Sequence, residues 1–349
     1  MNVLVTGGAG FIGSHIVDLL LDGGADVRVF DMTPGSDRLL DSRVDFVVGD
    51  LRSPRDVRRA VAGVDAVCHQ AAMVGLGVDF GDVGRYVAHN DVGTGVLLGA
   101  LWSAGFAGRL VLASSMVVYG EGRARCPAHG VVAPAPRTAE DLAAGRFDPR
   151  CPEAGCGRRT TWVAVDEHAP LDPRTVYAAT KLHQEHLCAV WARESGATAV
   201  ALRYHNVYGP RMPRDTPYAG VASIFLSALA AGRAPQVFED GHQTRDFVHV
   251  RDIARANVIA LTSGAVAPGA YNVASGTPHT VAEMATALAA SFGPAAPAPR
   301  ITGQWRLGDV RHVVASPDKA ARHLGFEAQV GFEEGMDDLA QASVVDVTA

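Results

Sequence analysis

Tyr177 and Lys181 stand four residues apart in a stretch with helical periodicity, so both side chains leave one face of a single turn. A tyrosine is a poor base near neutrality, because its unperturbed pKa is about 10. An ammonium beside it, and the positive ring of an oxidised nicotinamide cofactor, favour the phenolate and lower that value. Ser115 closes the apolar run Leu110-Val111-Leu112-Ala113-Ser114-Ser115, and its hydroxyl is suited to hold a substrate oxygen in line with the phenol. Ser115, Tyr177 and Lys181 are therefore the candidate catalytic set. Alone, a Tyr and a Lys at this spacing also describe an ordinary half-exposed amphipathic helix.

A second group of residues supplies the context. Gly7, Gly10 and Gly13 follow the apolar run Val3-Leu4-Val5 and open a helical pattern. In that position the first glycine permits a tight turn, the second lets the backbone approach phosphates, and the third lets helix and strand pack closely. A pyrophosphate would then rest on free N–H groups at the positive end of the helix. The next strand, Val27-Arg28-Val29-Phe30-Asp31, ends in a carboxylate suited to a ribose diol and repulsive to the extra phosphate of NADP, so NAD is expected. Asp50 and Leu51, after the third strand, are candidates to bracket the adenine, although an Asp at a strand end is also a common turn cap.

These residues need a scaffold. Strand-like runs occur at 2–6, 26–31, 44–48, 65–69, 109–114, 198–203 and 246–249, and helical patterns near 11–23, 53–62, 83–104, 177–195, 219–232, 251–262 and 279–292. Apolar strands alternating with helices imply an α/β fold, a Rossmann-like doubly wound parallel sheet covered on both faces. Its ligands sit at the carboxyl ends of the strands. Residues 1–120, 167–206 and 236–263 are assigned to this dinucleotide-binding domain. Residues 207–235 and 264–349, where regular alternation is lost, form a smaller discontinuous substrate lobe.

The 349 residues suffice for a full core, and a net charge of -6 leaves no basic field for nucleic acid or an anionic membrane. No apolar run is long enough to span a bilayer, and no basic leader precedes the first strand, so neither membrane nor signal peptide is expected. Five cysteines in this length do not make a secreted disulfide scaffold, and a reducing cytoplasm is the expected compartment.

Residues 121–166 break the rhythm, being rich in Pro, Gly, Arg and Cys. A structureless loop of that length inside a compact domain has to be functional, disordered or held by something else. Cys126-Pro-Ala-His129 and Cys151-Pro-Glu-Ala-Gly-Cys156 read as two turns, each presenting a pair of metal ligands. Four Cys and His ligands suit a closed tetrahedral site for structural zinc. Two unrelated loop thiols and a surface histidine are the alternative. Cys68 and Cys188 read as small buried hydrophobes.

Nearly the whole chain outside this insertion resembles the extended short-chain dehydrogenase/reductases that modify nucleotide sugars, of the 4-epimerase type. The resemblance rests on T-G-G-A-G-F-I-G (6–13), H-Q-A-A (69–72), H-N-D-V-G-T (89–94), S-S-M-V-V-Y-G (114–120) and Y-A-A-T-K (177–181). It continues through L-R-Y-H-N-V-Y-G-P (202–210), R-D-F-V-H-V-R-D (245–252) and R-L-G-D-V-R-H (306–312). It implies that Phe11, Ile12, Ala71 and Asn90, with Tyr177 and Lys181, also touch the cofactor. It implies further that Ser115, Met116, Tyr177, Asn206, Arg245 and Arg306 meet the nucleotide sugar, Asn206 and the two arginines at its diphosphate. An interlobe salt bridge is the other reading of those arginines.

The sugar 4,6-dehydratases of this family carry an Asp-Glu pair after the serine, and the nucleotide-glucuronate decarboxylases a glutamate. This chain has Met116 and Val117, neither of which moves a proton. The resemblance therefore implies a 4-epimerase with tightly bound, regenerated NAD. A 4-ketoreductase or dehydrogenase is the alternative, and a dehydratase, a decarboxylase or a non-catalytic NAD-binding scaffold fits less well. The insertion resembles one in a subgroup that includes dTDP-L-rhamnose 4-epimerases, where the second turn is a tighter C-P-x-C-G. That points to a dTDP-6-deoxyhexose, dTDP-L-rhamnose first, with another nucleotide hexose carrying uridine, guanosine or cytidine as the alternative. The helices near 83–104 and 177–195 match the pair that forms a homodimer in the family.

Overall fold

The computed structural model describes residues 1–33, 41–75, 80–214 and 220–347. Seven parallel strands form the central sheet: β1 (Asn2–Thr6), β2 (Asp26–Asp31), β3 (Asp45–Val48), β4 (Ala66–His69), β5 (Arg109–Ser115), β6 (Thr198–Tyr204) and β7 (Gly269–Val273). Their spatial order is β3-β2-β1-β4-β5-β6-β7. The order reverses between β1 and β4, which opens a crevice at the carboxyl ends of those strands.

Side-chain alternation divides the core. Val3, Val5, Val111, Ala113, Val200 and Leu202 face helices α1 (Phe11–Asp22) and α5 (Val250–Thr262) through Ile16, Val17, Leu20 and Ile253. Leu4, Leu110, Leu112, Ala199 and Ala201 face the opposite way, toward α2 (Pro54–Ala60), α3 (Gly93–Ser103) and α4 (Val176–Ser195), where Val57, Leu97, Leu101 and Trp191 receive them. Each fully buried Val or Leu contributes about 1.5–3 kcal/mol relative to exposure. A strand with both faces covered therefore reads as an unbroken apolar run.

Two assignments made from the sequence move. The strand expected at 246–249 begins at Thr244 and lies in a small mixed sheet with Asn206–Tyr208, Pro278–Thr280 and His312–Val313. The seventh central strand is instead β7, inside the segment expected to belong wholly to the second lobe. As an edge strand β7 pairs only with β6, so it needs less apolar character than a central one, and Gly-Ala-Tyr-Asn-Val gave no strand signal. The rest of the lobe has its own core: Phe225, Leu226, Met284, Leu288, Met336 and Leu339 join the helices Val221–Ala230, Val281–Ser291 and Phe332–Val347. Among the described residues no helix is long and apolar enough to cross a membrane.

The insertion is folded. Arg123–Cys126 pairs antiparallel with Gly130–Val132 on one side and Thr161–Val163 on the other, and a short helix spans Ala139–Ala143. Buried ions fasten it to Glu239 and to Arg311. Arg137 donates to Glu239 at 2.7 Å, with the two side chains 4% and 2% exposed. Arg311 reaches Glu239 at 2.8 Å, Asp240 at 2.7 Å and Asp148 at 3.0 Å. Removing one partner of such a cluster strands a charge in low dielectric. Glu239→Ala should lower the unfolding free energy by about 3–5 kcal/mol in urea denaturation, with Arg137→Ala adding little on top of it. A loss below about 1 kcal/mol would show the pairing to be incidental.

Candidate active site

A cavity of about 810 Å³ runs along the carboxyl ends of the central strands, from the glycine turn to Asn206. At its first end, contacts explain the glycines. Gly7 has φ +69°, and a Cβ there would lie 2.7 Å from the Ala71 backbone. A Cβ on Gly13 would stand 2.1 Å from the Gly7 carbonyl oxygen. Gly10 caps α1 with no side-chain hydrogen bond, so the first-turn N–H groups remain available beside Phe11, Ile12 and Gly13 on the cavity wall. That is a seat for a diphosphate, and the residues fit a dinucleotide.

Asp31 and Asp50 line the same end with Leu51 and Ala71. The Asp31 carboxylate accepts the N–H of Ala9 at 3.1 Å and of Met32 at 2.7 Å, so it braces the glycine turn and keeps lone pairs for a diol. Burial raises its pKa against those hydrogen bonds. Asp50 accepts from the Arg52 Nε at 3.0 Å, which pulls its pKa down.

The catalytic candidates meet at the far end. Thr175 caps α4 by accepting the Ala178 N–H at 3.1 Å, which places Tyr177 and Lys181 in the first two turns beside the end of β5. Ser115, Met116, Tyr177 and Lys181 all line the cavity, and the Ser115 hydroxyl acts on the phenol in the direction of its ionised form. Lys181 Nζ donates to the Ala113 carbonyl at 2.9 Å and lies 5.8 Å from the centre of the Tyr177 ring. Burial pushes the ammonium down to about 8 and the phenol up to about 12. The lysine alone therefore does not lower the phenol. With its ammonium turned to a carbonyl, desolvation of the phenolate dominates, and a further positive charge beside the ring is needed.

Three expected contacts are placed differently. Asn90 is fully buried and off the cavity wall. Its side chain accepts the Met73 N–H at 2.7 Å and donates to the Met73 carbonyl and to Thr180, each at 3.0 Å, so it fixes the wall rather than a ligand. Arg245 is half-buried and spent on backbone carbonyls, at 2.9 Å from Thr244 and from Arg311, with Val310 as a third. Arg306 is exposed, its guanidinium 5.1 Å from the centre of the Phe238 ring. Asn206 does line the cavity, and its Oδ1 has no partner among the described residues.

Two networks behind the site carried no sequence signal. His69 joins Thr6 at 2.7 Å to Thr94 at 3.0 Å, and Gln184 donates to Thr94 at 2.7 Å, tying β1, β4 and α3 to α4. Arg203 clasps Glu185 at 2.9 and 2.7 Å and donates to the Tyr119 hydroxyl at 2.8 Å, while Ser114 also bonds Glu185.

In the insertion, Cys126, His129, Cys151 and Cys156 place their ligand atoms within 4.8 Å of one another. Cys126 Sγ lies 3.8 Å from Cys156 Sγ and 3.7 Å from His129 Nδ1, which is 3.4 Å from Cys151 Sγ. For tetrahedral zinc with Zn–S near 2.3 Å and Zn–N near 2.05 Å, the ligand edges are about 3.8 and 3.6 Å. The donor set fits that ion. The wider second pair closes because the Cys156 N–H folds back to the Glu153 carbonyl at 3.0 Å.

Residues 3–143 and 157–274 match the family described as NAD dependent epimerase/dehydratase. The chain belongs to that family. It is 31% identical to the dTDP-L-rhamnose 4-epimerase of Burkholderia thailandensis, covering 97% of this chain and 93% of that protein. The crystal structure of Thermus thermophilus UDP-glucose 4-epimerase in complex with NAD superposes with a TM-score of 0.77 at 33% identity, over 99% of both chains. Thermotoga maritima UDP-glucose 4-epimerase with UDP-glucose gives 0.81 at 28%, over 99% of this chain and 100% of that one. The gap in the family match, 144–156, removes Cys151 and Cys156 and leaves the glycine turn and the catalytic candidates inside it.

In this epimerase/dehydratase chain Lys181 should leave a mark on stability. Its proton is lost near 8 when folded and near its ordinary 10.5 when unfolded, so between those values the unfolded chain binds more protons and stability rises with pH. Measured against Lys181→Met, the wild-type protein should gain about 3 kcal/mol across that window. A flat difference would mean that the ammonium is not buried.

Proposed function

We propose that the chain is an NAD-dependent nucleotide-sugar 4-epimerase, with dTDP-L-rhamnose as its first candidate substrate. One observation carries the choice among the family's reactions. Among the described residues, the only carboxylates on the cavity wall are Asp31 and Asp50, both at the ribose end. The end that holds Ser115, Tyr177 and Lys181 has Met116 where an acid for eliminating water would stand. Chemistry confined to one carbinol carbon needs no such acid.

The chain's own residues divide the work. The glycine turn and α1 hold a diphosphate, and Asp31 holds a ribose diol and disfavours a 2′-phosphate. NAD⁺, when bound there, supplies hydride acceptance and return at C4 of the sugar. Ser115 orients the C4 oxygen, and Tyr177 takes the hydroxyl proton and gives it back. Lys181 balances the phenolate while that proton is away. Because the sugar is oxidised and then reduced, no cofactor is consumed, whereas a 4-ketoreductase or dehydrogenase would consume one per turnover. The similarity to the Burkholderia enzyme supports the 6-deoxyhexose, and the apolar Met116 wall is compatible with its methyl group.

Structural zinc at Cys126, His129, Cys151 and Cys156 is part of the same reading, with all four protein ligands present and no position open for catalysis. So is a homodimer through α3, α4 and the helical turns Val87–Val92 that lead into α3, where Val87, Val92, Trp102 and Val190 are exposed. The five free thiols suit a reducing cytoplasm.

The decisive assay follows dTDP-L-rhamnose by proton NMR with the protein as isolated and no added cofactor. Inversion at C4 without accumulation of a keto sugar is expected. A keto, dehydrated or decarboxylated product, or no inversion of any dTDP-, UDP-, GDP- or CDP-sugar with NAD⁺ added, would overturn the proposal. Tyr177→Phe should slow inversion by about a hundred- to ten-thousandfold while retaining NAD. Elemental analysis should find about one zinc per chain, and its removal should lower the melting temperature. A zinc-free protein of unchanged stability would reject the metal.

A further inference from the structure

His205 follows the last residue of β6 and is 2% exposed, yet neither ring nitrogen has a hydrogen-bond partner among the described residues. The residue lines the cavity. Its surroundings are already committed: its backbone N–H donates to Val273 at 3.2 Å, and the Tyr204 hydroxyl is taken up by Gln70 at 3.1 Å and Asn257 at 2.9 Å. A buried imidazole with no partner forfeits its hydration for nothing, and such groups in a folded chain call for an explanation. The next residue, Asn206, repeats the pattern with its unpartnered Oδ1. Two successive orphaned polar groups on one wall point to a polar ligand.

The sheet register says which part of the ligand they face. Ser115 at the end of β5 pairs with Tyr204, so His205 stands one residue beyond the catalytic serine's level, beside Met116. The glycine turn belongs to β1, and both β4 and β5 lie between β1 and β6. At about 4.8 Å per strand, His205 is about 14 Å across the sheet from the diphosphate seat of the cofactor. The group it meets is therefore on the sugar side of the reacting carbon.

Resting on the epimerase reading above, we infer that His205 is a specificity-determining residue that hydrogen-bonds the sugar ring of the bound nucleotide sugar, with Asn206 as its neighbour in that contact. Burial, then the charges of Arg203 and Arg245, push its pKa down to about 3, so the ring stays neutral and presents one donor and one acceptor. A sugar hydroxyl or ring oxygen satisfies such a group. A sugar lacking oxygen at that position leaves the imidazole unpaired in the complex and is rejected for that reason.

The test uses the NAD-containing protein labelled with ¹⁵N-histidine, titrated first with dTDP and then with dTDP-L-rhamnose. The His205 ring signals, identified by their loss in His205→Gln, should move with the nucleotide sugar and stay in place with dTDP. In turnover, His205→Phe should lower kcat/KM about 10- to 100-fold, while His205→Gln, which keeps a donor and an acceptor, should stay within about fivefold of wild type. Neither variant should change NAD content or dTDP affinity. Ring signals that ignore the sugar, an unchanged kcat/KM in His205→Phe, or an equal loss of dTDP affinity would overturn the assignment. Failure of the wild-type protein to invert C4, with the sugar-dependent shift intact, would overturn the epimerase reading and sustain the His205 contact.

Discussion

Lys181 carries a buried ammonium whose recorded hydrogen bond goes to a single backbone carbonyl, that of Ala113, and the rest of the site is arranged around that cost. Burial depresses its pKa, and burial equally raises that of Tyr177 beside it. Each group alone resists its charged form. With the ammonium turned to the Ala113 carbonyl, the pair does not ionise the phenol by itself. A site built this way holds its proton until another positive charge arrives, which suits a phenol that works only beside an oxidised cofactor. The supporting hydrogen bonds through Asn90, Thr94, Gln184 and His69 keep α4 in register with β1 and β4 against the strain of burying that charge.

The same logic runs outward. The central sheet alternates its side chains between two helical layers, and reversal of strand order at β1 and β4 leaves a crevice that no side chain needs to fill. The glycine turn closes one end of it by backbone contacts that any Cβ would break. The other end is walled by the segment after β6. The insertion, too polar to fold alone, is held twice over: by four converging ligand atoms within it and by Arg137, Asp148 and Arg311 where it meets the second lobe.

What the sequence disclosed was local. Gly7, Gly10 and Gly13 announce a turn because their spacing is set by one strand and one helix, and Tyr177 and Lys181 because theirs is one helical turn. Cys126, His129, Cys151 and Cys156 were legible as two pairs of candidate ligands, although only folding shows the pairs converging. What stayed hidden depends on distant neighbours. β7 was missed because an edge strand carries a weak apolar signature. Asn90 gives no hint from its sequence neighbours that it fastens Met73 and Thr180. Arg245 was expected at a diphosphate, but the carbonyls of Thr244, Val310 and Arg311 occupy its guanidinium. His205 was passed over, because an orphaned ring nitrogen is visible only once the surrounding partners can be counted.

The central claim is that one carbon is oxidised and reduced again, with Tyr177 handling only the oxygen-bound proton. Turnover in D₂O tests it most directly. The account predicts that the inverted sugar retains protium at C4, and at C3 and C5, however many times it has reacted. Deuterium appearing at any of these carbons would contradict it, since the chain would then be moving a carbon-bound proton, and among the described residues the carboxylates on the cavity wall, Asp31 and Asp50, stand at the ribose end.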